Sequence, residues 1–219
     1  MKKVGILYHP EISLAKTLAE QLSHTLHSLN ALVWRCSAWE EDEIKAQVAG
    51  TDLILSVGGD GTILRAARAV IPWPVPILGV NLGKLGFLTE LNTEEATKEL
   101  PALLAGKGWI EEHSMLQAEL VPSAQEPDGG RHLPSQLFHA LNDIIIARGA
   151  ISRLIAVKVS IDGEFLTTYR ADGVIVSTAT GSTSYSLAAG GPILSPQSKD
   201  MVLKAVSAHL SMAYALVLP

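Results

Sequence analysis

The amino-acid sequence predicts an α/β N-terminal domain, with a doubly wound and mostly parallel sheet, followed by a β-rich domain. In the first half, short apolar runs alternate with segments whose apolar residues recur at helical spacing, as in proteins with parallel sheets. From Met115 onward the apolar runs become short, β-branched and separated by turn residues. Gly106-Lys107-Gly108 separates the two patterns, so we expect the domains to comprise residues 1–110 and 111–219.

Strand-like and helix-like segments alternate along the first domain. The predicted strands are Val4–Tyr8, Ala31–Cys36, Leu53–Val57 and Ile77–Val80, and the predicted helices are Ile12–Leu29, Glu40–Ala49, Ile63–Val70 and Thr93–Leu104. The last helix is expected to begin with a threonine cap at Thr93. Because strands joined by helices pair in parallel, their carboxyl ends meet at one edge of the sheet, where such sheets bind ligands.

The second domain has the period of β-strands. Apolar residues occupy alternate positions from Ile155 to Ile161, and the Asp162-Gly163 pair that follows is typical of a hairpin. The other predicted strands are Met115–Leu120, Ala140–Ala147 and Val174–Val176. Ser123–Pro134 is rich in proline and glycine and is predicted to be a mobile loop.

The composition restricts the class of partner. A net charge of −5 and a pI near 5.8 argue against nonspecific binding to nucleic acid or to a membrane surface. The single cysteine, Cys36, has no disulfide partner and is expected to be a buried small residue, which fits a reducing cytoplasm. No apolar run has the pattern of a targeting or membrane-spanning segment. We therefore expect a cytoplasmic protein with a small-molecule partner.

A glycine turn, Gly58-Gly59-Asp60-Gly61-Thr62, joins the third predicted strand directly to a helix. Its glycines let the backbone approach a bulky ligand, and the first N–H groups of the helix favour an anion such as phosphate. Asp60 does not fit a site that only binds anions, because its carboxylate repels phosphate unless it holds a metal or accepts a proton. The alternative is a tight turn in which Asp60 and Thr62 cap the helix.

Two further polar stretches accompany the glycine turn. Asn81–Leu88 is a second glycine-containing turn, and its Lys84 is a candidate phosphate contact. Thr178–Tyr185 offers hydroxyls, backbone amides and one aromatic face. By itself the latter stretch is equally typical of a helix start capped by Ser or Thr, with Tyr185 in the core.

Five motifs taken together resemble the bacterial NAD kinases in order and spacing. They are Gly58–Thr62, Asn81–Glu90, Asn142-Asp143, Tyr169–Gly173 and Thr180–Tyr185, and the resemblance covers nearly the whole chain. It implies transfer of the γ-phosphoryl of ATP, in some members of polyphosphate, to the 2′-hydroxyl of the adenosine ribose of NAD, giving NADP. It also implies a divalent metal (Mg²⁺ or Mn²⁺), a β-sandwich for the second domain, and a homodimer or homotetramer.

The resemblance implies a role for each motif residue but assigns no metal ligand. Asp60 corresponds to the catalytic base, and His209 to a histidine that some members contribute to a neighbouring subunit's site; a surface histidine is the alternative. The remaining positions are implied to bind nucleotide: Gly58, Gly59, Gly61 and Thr62 near the phosphates, Phe87 in the NAD pocket, Asn142 and Asp143 at ribose hydroxyls or pyrophosphate, Arg170 as a brace, Asp172 at the nicotinamide end, and Thr180, Thr183, Ser184 and Tyr185 at the adenosine.

The chain departs from the family pattern at three places. Asp143 stands where the family usually has glutamate, and Ala179 stands where it has proline, which would preset the turn. The sequence given stops at Pro219, whereas members typically continue for several strands. Because Ala215–Pro219 is predicted to begin with a strand, we expect either further residues or a neighbouring subunit to cover its edge.

Two alternatives to an NAD kinase remain open from the sequence. A lipid or sugar kinase shares the glycine turn, although a lipid kinase is expected to show apolar or basic surface. A non-catalytic dinucleotide-binding sensor would bind NAD without consuming ATP, and a turnover assay separates it from an enzyme.

Overall fold

The computed structural model describes residues 1–83, 86–121, 135–149, 153–209 and 214–219. These residues form two compact units, Met1–Ile110 and Glu111–Pro219. The first unit contains a parallel sheet with helices, and the second consists mainly of antiparallel strands. The predicted fold class, an α/β unit followed by a β-rich unit, is confirmed.

The first unit is built on a four-stranded parallel sheet. Its strands are β1 (Lys3–Tyr8), β2 (Leu32–Ser37), β3 (Leu53–Val57) and β4 (Ile77–Val80), and its helices are α1 (Ser13–Ser28), α2 (Glu41–Gln47), α3 (Asp60–Ala69) and α4 (Thr93–Leu104). The strand order is β2-β1-β3-β4. The carboxyl ends of β1, β2 and β3 therefore lie at one edge, and the glycine turn follows β3 at that edge.

Helices cover both faces of this sheet, because successive strand residues point to opposite sides. Ile6 packs in the cluster that contains Leu22 of α1 and Leu100 of α4. The next residue, Leu7, packs in a separate cluster with Ile44 of α2 and with α3. Cys36 is buried in this second cluster, as expected for a small apolar residue.

The N-terminus of α4 corrects one prediction. Thr93 is the first helical residue and not the cap. The cap is Asn92, whose side chain accepts hydrogen bonds from the N–H groups of Glu94 and Glu95, while the Glu95 carboxylate accepts from the Asn92 N–H. This reciprocal arrangement satisfies more of the helix's free N–H groups than a threonine hydroxyl at the next position.

The second unit contains one four-stranded antiparallel sheet and two hairpins. Its strands are β5 (Leu116–Leu120), β6 (Gln136–Ala140), β7 (Asp143–Ala147), β8 (Ile155–Ile161), β9 (Glu164–Ala171), β10 (Gly173–Ser177), β11 (Met201–Val206) and β12 (Leu216–Leu218); a 3₁₀ turn, Thr180–Thr183, precedes the short helix α5 (Tyr185–Ala188). The sheet has the order β12-β11-β10-β7, and β5-β6 and β8-β9 are the hairpins.

The β8-β9 hairpin packs on the four-stranded sheet. Tyr169 and Ala171 of β9 share a buried cluster with Val174 of β10 and Leu203 of β11. The predicted Asp162-Gly163 turn connects this hairpin, with both residues at positive φ, 50° and 86°. The predicted strand Ala140–Ala147 corresponds to β7 but its predicted start is wrong, because β6 ends at Ala140, the chain turns at Leu141-Asn142, and β7 begins at Asp143.

Two predicted features lie outside the described residues: Lys84 and the loop Ser123–Pro134. Among the helices that the structure describes, none combines the length and the apolar composition needed to cross a lipid bilayer.

Candidate active site

The glycine turn has a backbone shape that its first glycine makes possible. Gly58 has φ +159°, and a Cβ at this position would lie 2.2 Å from the Thr62 hydroxyl oxygen. Thr62 is buried, its N–H donates to the Gly59 carbonyl at 2.9 Å, and its hydroxyl has no hydrogen-bond partner among the described residues. Gly58 is therefore required by the close approach of Thr62.

Gly59 and Gly61, unlike Gly58, are not required by a close contact within the described residues. A Cβ at Gly59 or Gly61 would meet no atom within 4 Å, and neither residue has a left-handed φ. Gly61 lies inside α3, where glycine costs about 1 kcal/mol relative to alanine. Glycine at these two exposed positions leaves open space beside the first turn of the helix, which is the space that a phosphate group needs.

Asp60 does not cap the helix. The N-cap of α3 is Gly59, and no side chain caps this helix. Instead, the Asp60 carboxylate accepts a hydrogen bond from the Phe87 N–H at 2.9 Å and another from the Leu88 N–H at 3.1 Å. Each oxygen accepts one of these bonds, so the plane of the carboxylate is fixed from two sides. The capping alternative for Asp60 and Thr62 is therefore wrong.

The loop that binds Asp60 is fixed in turn by its own contacts. The Gly86 N–H donates to the buried Thr89 hydroxyl at 3.0 Å. A Cβ at Gly86 would lie 2.1 Å from one Asp60 carboxylate oxygen and 2.8 Å from the other. Only a glycine at this position lets the loop approach the carboxylate so closely. The sequence singled out Phe87 in this loop, but it gave no signal for the roles of Gly86 and Thr89.

Phe87 is placed beside Asp60 with its side chain almost fully exposed, at 86%. An exposed phenylalanine next to a fixed carboxylate has no packing role among the described residues of the first unit. A ring in this position can cover the face of a bound ligand.

In the second unit the structure brings together two polar stretches that are distant in sequence. The Asn142 carbonyl accepts from the Thr178 N–H at 2.8 Å, and Thr178 O–H donates to the Leu141 carbonyl at 2.6 Å. A Cβ at Gly181 would lie 2.1 Å from the Asn142 carbonyl oxygen. The side-chain oxygen of Asn142 is buried without a partner among the described residues. The 178–183 turn therefore packs directly against Asn142, whose side-chain oxygen is buried without a hydrogen bond from the described residues.

Asp143 begins β7 and pairs with Ser177 of β10. Burial raises the pKa of the Asp143 carboxyl above its usual value, because the charged form loses hydration. No hydrogen bond or ion pair to its side chain is recorded within the described part of the chain. A half-buried carboxylate without a stabilising partner is unfavourable for folding and is available to a ligand with hydroxyl donors.

The other predicted adenosine-binding residues lie in the 3₁₀ turn and at the start of α5. Thr183 O–H donates to the Thr180 carbonyl at 3.3 Å, and the Ser184 N–H donates to the Gly181 carbonyl at 2.9 Å. Tyr185 is 45% exposed, so the alternative that placed it in the core is wrong. The N-cap residues Ala179 and Ser184 form no side-chain cap, but the Thr178 hydroxyl accepts a hydrogen bond from the Gly181 N–H at 3.0 Å. The sequence did not single out His113, whose Nδ1 lies 2.9 Å from the Thr180 hydroxyl.

The remaining predicted residues are Arg170 near the end of β9, Asp172 between β9 and β10, and His209 after β11. Asp172 forms an ion pair with Arg148 at 3.2 Å and also accepts the Arg148 N–H at its carbonyl. Arg170 is exposed, and its carbonyl accepts the His209 N–H at 2.8 Å. Arg148 was missed from the sequence because it lies just after β7 and pairs with a residue 24 positions later, between β9 and β10, which leaves no local pattern.

Ala179 takes the backbone conformation that proline would impose. Its φ is −58°, within the range of a proline ring, and its side chain is buried. The departure from the family pattern at this position therefore leaves the conformation of the turn unchanged.

The described residues contain no group of three or more His, Cys, Asp and Glu side chains that could hold a metal ion. Both oxygens of Asp60 already accept backbone hydrogen bonds.

Both units match family models. Residues 3–108 match the ATP-NAD kinase N-terminal domain, and residues 141–219 match the ATP-NAD kinase C-terminal domain. The chain is 50% identical over 220 residues to an NAD kinase of Dehalococcoides mccartyi, covering 100% of this chain and 74% of that protein. It is 40% identical over 218 residues to an NAD kinase of Chloroflexus aggregans, covering 100% of this chain and 76% of that protein.

Two solved structures share the fold over the whole chain. Yeast NADH kinase complexed with NADH superposes with a TM-score of 0.80 at 29% identity, covering 100% of this chain and 70% of that one. An NAD kinase from Archaeoglobus fulgidus in complex with ATP superposes with a TM-score of 0.72 at 27% identity, covering 99% of this chain and 76% of that one. The lipid- and sugar-kinase alternative depended on the glycine turn alone, whereas these matches extend over both units. The chain therefore belongs to the NAD kinase family, whose members are phosphotransferases.

Proposed function

We propose that this chain transfers the γ-phosphoryl group of ATP to the 2′-hydroxyl of the adenosine ribose of NAD, with Asp60 as the base. The observation that carries the assignment is the Asp60 carboxylate, which two backbone N–H groups hold at 2.9 and 3.1 Å beside an open glycine turn. As the bond from the ribose oxygen to phosphorus forms, the bond from phosphorus to the ADP oxygen breaks. The hydroxyl proton passes to Asp60.

A plain carboxylate suffices for this step. Phosphoryl transfer has a loose transition state, so orientation of the hydroxyl and neutralisation of phosphate charge matter more than the strength of the nucleophile. Each carboxylate oxygen has two lone pairs, and the Phe87 and Leu88 N–H groups each take one. The other lone pairs remain available to orient the ribose hydroxyl and to accept its proton.

We assign the donor phosphates to the N-terminus of α3. Gly59 and Gly61 leave space there, and no side chain caps the helix, so the Asp60 and Gly61 N–H groups are available to an anion, whereas the Thr62 N–H donates to the Gly59 carbonyl. The solved Archaeoglobus fulgidus relative is described in complex with ATP, which supports ATP as the donor for this chain.

We assign NAD to the polar cluster of the second unit. The amide oxygen of Asn142 has no hydrogen-bond partner among the described residues, and burial raises the pKa of the Asp143 carboxyl. Tyr185 is exposed at the end of the 178–185 segment, whose Thr178 N–H donates to the Asn142 carbonyl. Hydroxyl groups of a ribose are suitable donors to both oxygens, and the tyrosine ring is suitable for stacking on a base. Phe87, Asp172, Thr180, Thr183 and Ser184 are proposed to complete NAD binding, with Arg170 as a brace.

We propose that a divalent cation, Mg²⁺ or Mn²⁺, enters with the triphosphate. When bound, it would offset the charge of the donor phosphates. Because the described residues provide no preformed cluster of metal ligands, most of its ligands are expected to be phosphate oxygens and water. We also propose a cytoplasmic homo-oligomer, in which His209 reaches a neighbouring subunit's site.

The test is formation of NADP from NAD, ATP and Mg²⁺, followed by the same assay on Tyr185→Ala. We expect Tyr185→Ala to raise KM for NAD by about tenfold, the scale for a lost base-stacking contact, and to leave KM for ATP unchanged. Binding of NAD without any NADP formation in the wild type would identify a sensor and refute the proposal. A folded Tyr185→Ala variant with an unchanged KM for NAD would remove Tyr185 from the site.

A further inference from the structure

Three side chains form an aromatic and cationic cluster at the carboxyl edge of the parallel sheet. The Arg65 guanidinium carbon lies 4.2 Å from the centre of the Trp39 ring, and the His9 ring lies 4.4 Å from the Trp39 ring at an angle of 59°. His9 follows β1, Trp39 follows β2, and Arg65 belongs to α3. Nothing assigned so far uses these residues.

This cluster borders the glycine turn. The His9 N–H donates to the Val57 carbonyl at 3.1 Å, and Val57 immediately precedes Gly58. Arg65 lies four residues after Gly61, so both residues occupy the same side of α3. Helical side chains tilt toward the N-terminus of their helix, which directs the long Arg65 side chain toward the glycine turn.

Arg65 has no carboxylate partner among the described residues. The ion pairs of the described residues include Arg35 with Glu20, Arg68 with Glu41 and Arg148 with Asp172, but none involves Arg65. Its guanidinium stacks on the 39% exposed Trp39 ring, which fixes its plane and leaves its N–H edge free. A planar, weakly hydrated guanidinium with a free edge is the usual partner of phosphate oxygens.

His9 adds a second donor to the cluster. The Glu11 N–H donates to Nδ1 of His9 at 3.3 Å, so that Nδ1 is an acceptor and the ring proton of the neutral histidine is at Nε2. The nearest acidic residues in sequence, Glu11 and Glu40, are both exposed, where solvent weakens their repulsion of an anion.

We propose that Arg65 and His9, with Arg65 held flat by Trp39, form a subsite for the polyphosphate chain of the phosphoryl donor. The proposal rests on the kinase activity proposed above and names the residues that hold the donor beyond the glycine turn. The two Trp39 contacts are already made by Arg65 and His9, so the subsite recognises phosphate groups and not the purine ring. The triphosphate of ATP and inorganic tripolyphosphate share this chemistry.

The test compares Arg65→Ala with Arg68→Ala in steady-state kinetics and in calorimetry. Both variants remove one positive charge from α3, but Arg68 is paired with Glu41. We expect Arg65→Ala to raise KM for ATP by about tenfold, the scale of a lost hydrogen bond to a charged group, with KM for NAD and the melting temperature unchanged. Arg68→Ala should resemble the wild type.

Calorimetry with inorganic tripolyphosphate distinguishes phosphate from nucleoside recognition. We expect Arg65→Ala to weaken tripolyphosphate and ATP by similar factors, and Trp39→Leu to weaken both less. If Arg65→Ala weakens ATP alone, the cluster recognises the nucleoside and the proposal is wrong. It is also wrong if Arg65→Ala and Arg68→Ala behave alike. Should Arg65→Ala fail to fold, Arg65→Gln provides the same comparison.

Calorimetry also separates this proposal from the kinase assignment. If the wild type makes no NADP but binds tripolyphosphate in a manner that depends on Arg65, the subsite stands and the assigned reaction fails. If the wild type makes NADP while Arg65→Ala leaves KM for ATP unchanged, the reaction stands and the subsite fails.

Discussion

Replacing Gly86 by alanine tests whether the 86–88 loop positions the Asp60 carboxylate. The added Cβ would lie 2.1 Å from the Asp60 carboxylate oxygen, about 1.3 Å short of the 3.4 Å at which ordinary contact begins. Either the carboxylate or the loop has to move by this amount, and the hydrogen bonds from Phe87 and Leu88, now 2.9 and 3.1 Å, would then be too long.

The expected consequence is a slower chemical step. A misplacement of about 1 Å in a catalytic constellation costs on the order of 10²-fold in rate. We therefore expect kcat of Gly86→Ala to fall by about 10²-fold, while NAD affinity measured by calorimetry falls much less. Gly149→Ala is the matched control, because a Cβ there meets no atom within 4 Å. A folded Gly86→Ala enzyme with kcat within about twofold of the wild type would refute the positioning role.

Two further predictions concern the second unit. Asp143→Asn replaces a carboxyl group, whose ionisation is opposed by burial, with a neutral amide group. Because the folded pKa of Asp143 is raised, the contribution of this residue to stability is highest below the unfolded pKa of about 3.9 and is lost as the pH rises through the folded pKa. Thermal unfolding should therefore show Asp143→Asn to be more stable than the wild type at pH 7 but not at pH 3. The variant should also bind NAD more weakly. Equal melting temperatures of the variant and the wild type at pH 7 would contradict this account. Ala179→Pro should raise the free energy of unfolding by about 0.4–1 kcal/mol in urea titration, since φ is already −58°, and a loss of stability would show that the Ala179 N–H or its surroundings oppose the ring.

The order of the elements was predictable because local patterns determine it. Apolar runs such as Val4–Tyr8, separated by helical repeats, identified the parallel sheet, and the glycine turn located its carboxyl edge. The boundaries were less predictable where a turn lacks glycine and proline. Leu141-Asn142 interrupts an apolar stretch without either residue, and the Thr178 contacts that hold this turn come from a distant part of the chain.

The candidate site was predictable in its residue types but not in its hydrogen bonds. Asp60 was evident as a carboxylate out of place in a phosphate turn. Its partners are backbone N–H groups of residues 27 and 28 positions later, and backbone donors leave no side-chain pattern in a sequence. The Arg65 and Trp39 pair likewise depends on the fold, which brings α3 to the segment that follows β2.

The measurement that tests the central claim most directly is NADP formation by Asp60→Asn under saturating NAD and ATP. Asparagine keeps the shape of the side chain and one acceptor oxygen but cannot accept the ribose proton. We predict that kcat falls by about 10²-fold or more, the scale for a positioned acid–base group, while NAD affinity in calorimetry stays close to that of the wild type. The melting temperature should fall only modestly, because the amide group keeps one of the two backbone hydrogen bonds from Phe87 and Leu88. Near-normal turnover by a folded Asp60→Asn enzyme would contradict the assignment of Asp60 as the base.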